Sequence, residues 1–236
     1  MIGFDFPKIQ FELFGLELLE PMAIITDTIM GGLSMFFGIR IRALKKQLPF
    51  YRLWVFFFIS FGIGAILGGI GHTFYNQFGL MGKIPSWLFG PVSIYFAERA
   101  MISMHWKDSV KKKMYKIFNI KMAIVYLVFF YLLLFVENPT NANLPFLPIA
   151  INTIIGMLST VGLLGFKFTQ KISVKFKYFW LGVMIMFPSA ILYLFKVNVH
   201  QWFDKNDFSH VLISIGLVYW YLGLTKLSEG LKPERL

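Results

Sequence analysis

The sequence predicts an all-α fold, a polytopic integral membrane protein built as a seven-transmembrane helix bundle. Three observations predict it. Of the 236 residues, 57% are hydrophobic and 15% charged, whereas soluble domains are roughly 45–50% apolar and about 25% charged. The mean hydropathy is +0.65, and the apolar residues collect into seven stretches near the length that crosses a bilayer, roughly 20 residues each. The basic residues collect on alternate connections between those stretches. There is no cysteine, which excludes disulfides, zinc fingers, iron–sulfur clusters and thiol chemistry.

In chain order, residues 1–19 form a short extramembrane segment. Asp5, Glu12 and Glu17 among scattered Phe and Leu predict an amphipathic helix on the membrane surface. The segment lacks the basic start and cleavage site of a secretory signal peptide. The bundle occupies residues 20–230, with spans at 20–42, 52–75, 85–104, 118–136, 146–166, 178–197 and 207–226, and a cytoplasmic tail follows at 231–236. Span 2 carries Gly62, Gly64, Gly68, Gly69 and Gly71, with Gly64 and Gly68 as a GxxxG pair. Such small residues let helices approach closely, which predicts tight packing around His72. Span 4, with the run IVYLVFFYLLLFV, faces lipid. The connection between spans 6 and 7, HQWFDKNDFSH, is dense in polar groups.

Lysine and arginine assign the sides. The loops after spans 1, 3 and 5, the span ends that border them and the C-terminal end hold 19 of the 23 basic residues, leaving Lys8, Lys83, Lys196 and Lys205 opposite. The positive-inside rule puts the N-terminus outside and the C-terminus in the cytoplasm. The net charge of +11 therefore answers to topology and anionic lipid. No aromatic–basic module for nucleic acid is visible, so none is expected as a partner.

Ionisable groups inside a membrane are costly and mark sites. With a rise of about 1.5 Å per residue, Asp27 lies roughly 10 Å below the outer end of span 1 and His72 roughly 5 Å below that of span 2. By the same rise, Asn152 lies roughly 9 Å deep in span 5, and Asp207 and His210 lie within roughly 5 Å of the outer face in span 7. Ser189 and Tyr193 sit in the outer half of span 6, beside Pro188. Glu98 and Arg99 lie near the cytoplasmic end of span 3. Asp207 and His210, three apart, share a helical face, as do Asn206 and His210, four apart. Histidine is the commonest zinc ligand and carboxylates complete many sites. The expected metal ligands are His72, His210 and Asp207, the expected catalytic carboxylates are Asp27 and Asp207, and the expected cofactor is zinc. Taken singly, each of these residues also reads as a wetted interfacial group; their shared depth is what marks a site. His105 and His200 read as interfacial residues.

The pairing of a histidine at the outer end of span 2 with one a turn into span 7 resembles the CREST superfamily, which joins alkaline ceramidases with progestin and adipoQ receptors. That family carries Ser-x-x-x-His on span 2, an Asp soon after, and His-x-x-x-His on span 7. His72 and His210 match two of its histidines. Gly68 stands at the serine position and Asn206 at the first span 7 histidine, and residues 76–97 contain no Asp. The stretch from Glu20-Pro21 to Thr26-Asp27 is similar to the start of span 1 in the ceramidase-like branch. The resemblance implies a divergent bacterial-type member with seven helices, zinc on histidines and hydrolysis of a lipid amide.

The leading functional expectation is accordingly a zinc-dependent hydrolase of a lipid amide or ester. The alternative is a non-catalytic lipid- or ligand-binding protein, receptor-like or accessory. Transport comes third, because no internal repeat is visible. A retinal pigment needs a lysine deep in span 7, whereas Lys226 lies at its cytoplasmic end. Membrane lipids and a lipid substrate or ligand are the expected partners, in a bacterial inner membrane with the site toward the periplasm.

Overall fold

An α-helix satisfies its own backbone hydrogen bonds, so long apolar helices are one of two ways a chain can cross lipid. The computed structural model describes residues 2–3, 5–136 and 144–230. The predicted tail at 231–236 lies outside them. In order come strands β1 (Gln10–Leu13) and β2 (Leu16–Leu19), then helices α1 (Pro21–Ala43), α2 (Pro49–Thr73) and α3 (Tyr75–Phe78). A 3-10 turn at Gly79–Gly82 leads to α4 (Ile84–Ser103) and α5 (Asp108–Phe135). A further turn at Leu144–Phe146 opens α6 (Leu147–Gly156), which continues as a π-helical stretch, Met157–Leu164, and then as α7 (Gly165–Lys171). A turn at Val174–Phe176 leads to α8 (Lys177–Leu194), and α9 (Lys205–Ser228) follows.

The protein is thus almost entirely helical and of membrane type. Among the described residues, six helical runs are long and apolar enough to cross a bilayer: α1, α2, α5, Leu144–Lys171, Val174–Leu194 and α9. Pro21 and Pro49 open α1 and α2 in the first turn, where a missing N–H costs nothing. α4 and α8 run on through Pro91 and Pro188. α9 starts on a capping box, in which Asp204 accepts from the backbone of Asn206 and Asp207 while the Asp207 carboxylate accepts from Asp204 N.

The core is aromatic. Trp54 packs on Phe57, Phe58, Phe179 and Trp220, with ring centroids 5.1–5.9 Å apart. The Trp220 indole donates to Phe179 O at 2.9 Å, joining α9 to α8. Bare backbone makes the closest approaches. A Cβ on Gly62 would stand 2.7 Å from Gly31 O, and one on Gly69 would stand 3.1 Å from Ile24 Cα, so α1 and α2 touch main chain to main chain. α5 is among the least buried of the long helices, with Leu127, Leu134 and Phe135 exposed. It is tied inward by Lys121, which pairs with Glu98 of α4, itself only 1% exposed.

Two departures from the sequence reading stand out. Residues 10–19 are an antiparallel hairpin, in place of the amphipathic helix expected there. Phe11, Leu13, Leu16 and Leu18 alternate with Gln10, Glu12, Glu17 and Leu19, a period of two, and Phe14-Gly15 makes the two-residue turn with φ of 52° and 76°. The π-helical stretch was likewise absent from the pattern of apolar residues.

The α1–α2 contact generates a test. Gly62→Ala forces backbone apart and should cost about 1–3 kcal/mol, read as a lower unfolding temperature in detergent. Gly32, on α1, faces open space. Gly32→Ala should leave stability unchanged or raise it by up to about 1 kcal/mol through helix propensity.

Candidate functional site

The last residue before α1 is Glu20, and its backbone is left-handed, with φ of 49°. A non-glycine residue in that region is strained and is held there by its surroundings. Here the carboxylate is held from both sides. Lys8 pairs with Oε1, and Nδ1 of His72, in the last turn of α2, lies 2.8 Å from Oε2. Glue of this kind fixes the imidazole and leaves its Nε2 free of the carboxylate.

Two turns into α1 lies a second histidine–acid group. Thr26 Oγ1 is 2.8 Å from His210 Nδ1 and 2.9 Å from Asp207 Oδ1, both on α9. Asp27 Oδ1 stands 3.4 Å from His210 Nε2. One proton arrangement satisfies Thr26 and Asp207: Nδ1–H of His210 donates to Thr26, and the threonine hydroxyl donates to Asp207. The Nε2 lone pair of His210 then faces Asp27. Asp27 is only 4% exposed. Gly69 of α2 packs on its Cβ, and a Cβ on Gly68 would stand 3.6 Å from Asp27 Oδ2 and 3.1 Å from Ser86 Oγ of α4. The glycine stripe therefore leaves a notch with a carboxylate on one side and a serine hydroxyl on the other.

The structure thus brings Asp27, Asp207 and His210 into one network, and it holds His72 beside Glu20 at the same end of the bundle. Asp207 is occupied, because Oδ1 accepts from Thr26 and Oδ2 from Asp204 N. Asn206 turns back to Asp204, 3.4 Å away. Asn152 is buried on α6, and its amide atoms hydrogen-bond to none of the cluster. Ser189 donates to Met186 O within its own helix. His200 Nδ1 accepts from Trp202 N, and the buried His105 accepts from Lys107 N. Sequence reading passed over Thr26 and Ser86 as site residues and took Glu20 only as the start of a span. The available signal for Glu20 was an acid, followed by proline, at the depth of His72.

The donor chemistry suits a metal in part. His210 Nε2 and Asp27 Oδ1 have the spacing of adjacent ligands on a tetrahedral ion with bonds of roughly 2.0–2.2 Å. The free nitrogen of His72 is a further donor. As arranged, no three His, Asp or Glu side chains among the described residues converge on one ion-binding point.

A strap, residues 5–9, crosses above the cluster. Asp5 pairs with Lys196 and Lys205, and Lys8 lies 3.7 Å from Asp204 besides its contact with Glu20. An apolar cavity of about 160 Å³ lies between α2, α4, α6 with its π-helical stretch, α8 and α9, and no residue of the cluster lines it. Phe61, Ser93, Met157, Ala190, Ile213 and Leu217 are among its walls. Ile213 and Leu217 follow His210 at helical spacing, on the same side of α9.

The chain belongs to DUF6962, a family of unknown function, whose profile matches residues 22–229. The strap, the hairpin and Glu20 precede the matched region. No curated protein and no solved structure matches the chain.

Burial pushes the Glu20 carboxyl upward, but its partners His72 and Lys8 outweigh that and hold it at about 2. A depressed acid stabilises the fold above its unfolded value, about 4.5, and loses that contribution as pH falls toward 2. Asp5, lowered by Lys205 and Lys196 against the effect of burial, acts in the same direction. Glu20→Gln should lower the unfolding temperature at pH 7 and flatten its fall between pH 4.5 and 2, as read by thermal melts across that range.

Proposed function

We propose that this is a seven-span membrane protein that hydrolyses an amide or ester bond of a membrane lipid, in the manner of the CREST enzymes. α4 is the additional span. Its 20 residues rise about 30 Å, and its prolines and the Glu98–Arg99 pair lower its apolarity while it packs between α2 and α6. The N-terminus and the site face outward, toward the periplasm of a bacterial inner membrane, with the basic loops inside. One observation carries the reading: the histidine–carboxylate network and an apolar cavity lie along one side of α9, with His210 one turn before Ile213 of the cavity wall, so a polar headgroup linkage and an acyl chain would each meet matching surroundings.

His210 and Asp27 would give a zinc ion two adjacent ligands, and His72 would complete the set only by turning toward them, since as arranged the three do not converge; such an ion would supply a water of pKa about 7 and polarise a carbonyl. The chain's own groups do the rest. Glu20 orients His72 through Nδ1, and Thr26 with Asp207 orients His210. Ser86, across the Gly68 notch, offers a hydroxyl to the oxygen that gains charge as the carbonyl is attacked. The cavity takes the acyl chain, and the strap limits water entry from above. The products are a fatty acid and an amine or alcohol.

A second reading rests on Gly68 and Asn206, which replace the serine and a histidine of the CREST pattern. It makes the protein a lipid-binding module without turnover.

Elemental analysis and fatty-acid release from N-acyl amines and glycerolipid esters separate the two. The hydrolase reading expects about one zinc per chain in detergent-purified protein, and loss of both zinc and turnover in His72→Ala and His210→Ala. Glu20→Gln should weaken zinc affinity or activity about 10–100-fold. Turnover surviving in His210→Ala overturns the hydrolase reading. Lipid that co-purifies with metal-free, inactive wild type supports the binding module.

A further inference from the structure

We infer that the N-terminal hairpin is a membrane finger, seated in the lipid leaflet at the candidate-site end of the bundle. Its two faces differ in kind. Phe11 pairs with Leu18 and Leu13 with Leu16, while Gln10 pairs with Leu19 and Glu12 with Glu17. Directly opposed residues share a face and neighbours in sequence alternate. One face is therefore Phe11, Leu13, Leu16 and Leu18, and the other carries the two glutamates. Leu18 and Leu19 are buried at the base. Toward the tip, Leu13 and Leu16 are exposed and Phe14 is 95% exposed.

The tip residue is unusual for its conformation. Phe14 has a φ of 52° in a turn that ordinarily takes Asn, Asp or Gly there. The turn tolerates strain to keep an aromatic ring at its most projecting point. A second segment offers the same chemistry beside it. Gln77 of α3 donates to Glu17 O at 2.7 Å, tying α3 to β2, and Phe78 and Met81 after it are exposed.

Lipid is the occupant that fits. The hairpin ends at Leu19, two residues before α1. α1 has 23 residues and so rises roughly 34 Å, slightly more than the roughly 30 Å of a hydrocarbon core. Its first residue is thus at headgroup level, and a strand of four residues reaches about 13 Å from there. A structure with one apolar and one acidic face lies in the interface with its charges toward water. The opposed Glu12 and Glu17 repel one another and need that water. A protein partner fits less well, because a stable interface takes roughly 20–30 residues a side, and the exposed apolar tips here number a handful.

The chain has no cysteine, so single spin labels report without background. Phe14→Cys, Glu17→Cys and Ile29→Cys, the last on an exposed position of α1, would be labelled in the otherwise intact protein and reconstituted in phosphatidylcholine–phosphatidylglycerol vesicles. The label at 14 should resemble that at 29 more than that at 17, with oxygen collisions raised and collisions with a water-soluble nickel complex reduced several-fold relative to 17. A label at 14 that meets nickel as often as the one at 17 overturns the proposal, and so does one shielded from both reagents, the signature of a protein partner. If 29 itself meets nickel as freely as 17, the spanning reading of α1 falls and the finger falls with it.

Discussion

The contact on which the site depends is the bare-backbone meeting of α1 and α2. Gly31 against Gly62, and Ile24 against Gly69, bring the two helix axes closer than any side chain would allow. Small residues at such an interface trade helix propensity for packing, a trade that favours association in lipid, where apolar side chains gain nothing by leaving the bilayer. The consequence is positional. With α1 and α2 in main-chain contact, Asp27 settles against Gly68 and Gly69, and Glu20 comes within reach of His72. Any bulkier residue on this stripe would displace a carboxylate as well as a helix.

Around that contact the polar groups are matched rather than merely gathered. Each of the two histidines in the cluster has one ring nitrogen engaged by a group that fixes its orientation, Glu20 for His72 and Thr26 for His210. A buried polar group without a partner is expensive in a low-dielectric interior, and a satisfied network specifies one arrangement. The far end follows the same rule with different parts. Glu98 is neutralised by Lys121, and Arg99 lies 4.4 Å from the Tyr115 ring centroid while bonding the Tyr95 hydroxyl.

Much of this was legible in the sequence, for identifiable reasons. Helix identity followed from apolar length, because only self-satisfied backbone survives in lipid. The meeting of Asp27, Asp207 and His210 followed from depth, since residues at one level on packed helices have few other places to go. The close packing beside His72 followed from its glycines. Thr26 escaped because a threonine inside a helix ordinarily bonds its own backbone, and Met22 O does lie 3.0 Å from this hydroxyl. Ser86 escaped because its role depends on a missing Cβ on another helix. The hairpin escaped although its alternation was present in QFELFGLELL, because a four-residue strand offers only two residues per face and Phe-Gly is a weak turn signal. The π-helical stretch has no periodic signature over eight residues.

That stretch has an architectural consequence. A π-helix packs more residues into each turn than an α-helix, so it resets the angular register of everything beyond it. Before it, Gly156 must face Glu98 of α4, where any side chain would strike the carboxylate, and after it, Gly165 must face Phe179 and Trp180 of α8. One uniform helix carries a single angular frame along its length. The wide turns between Met157 and Leu164 let a single span hold two frames, one set by α4 and the other by α8. Along the cavity wall, where Met157 and Leu158 contribute, the span is in effect two shorter helices joined by a rotation, each packed to its own neighbour.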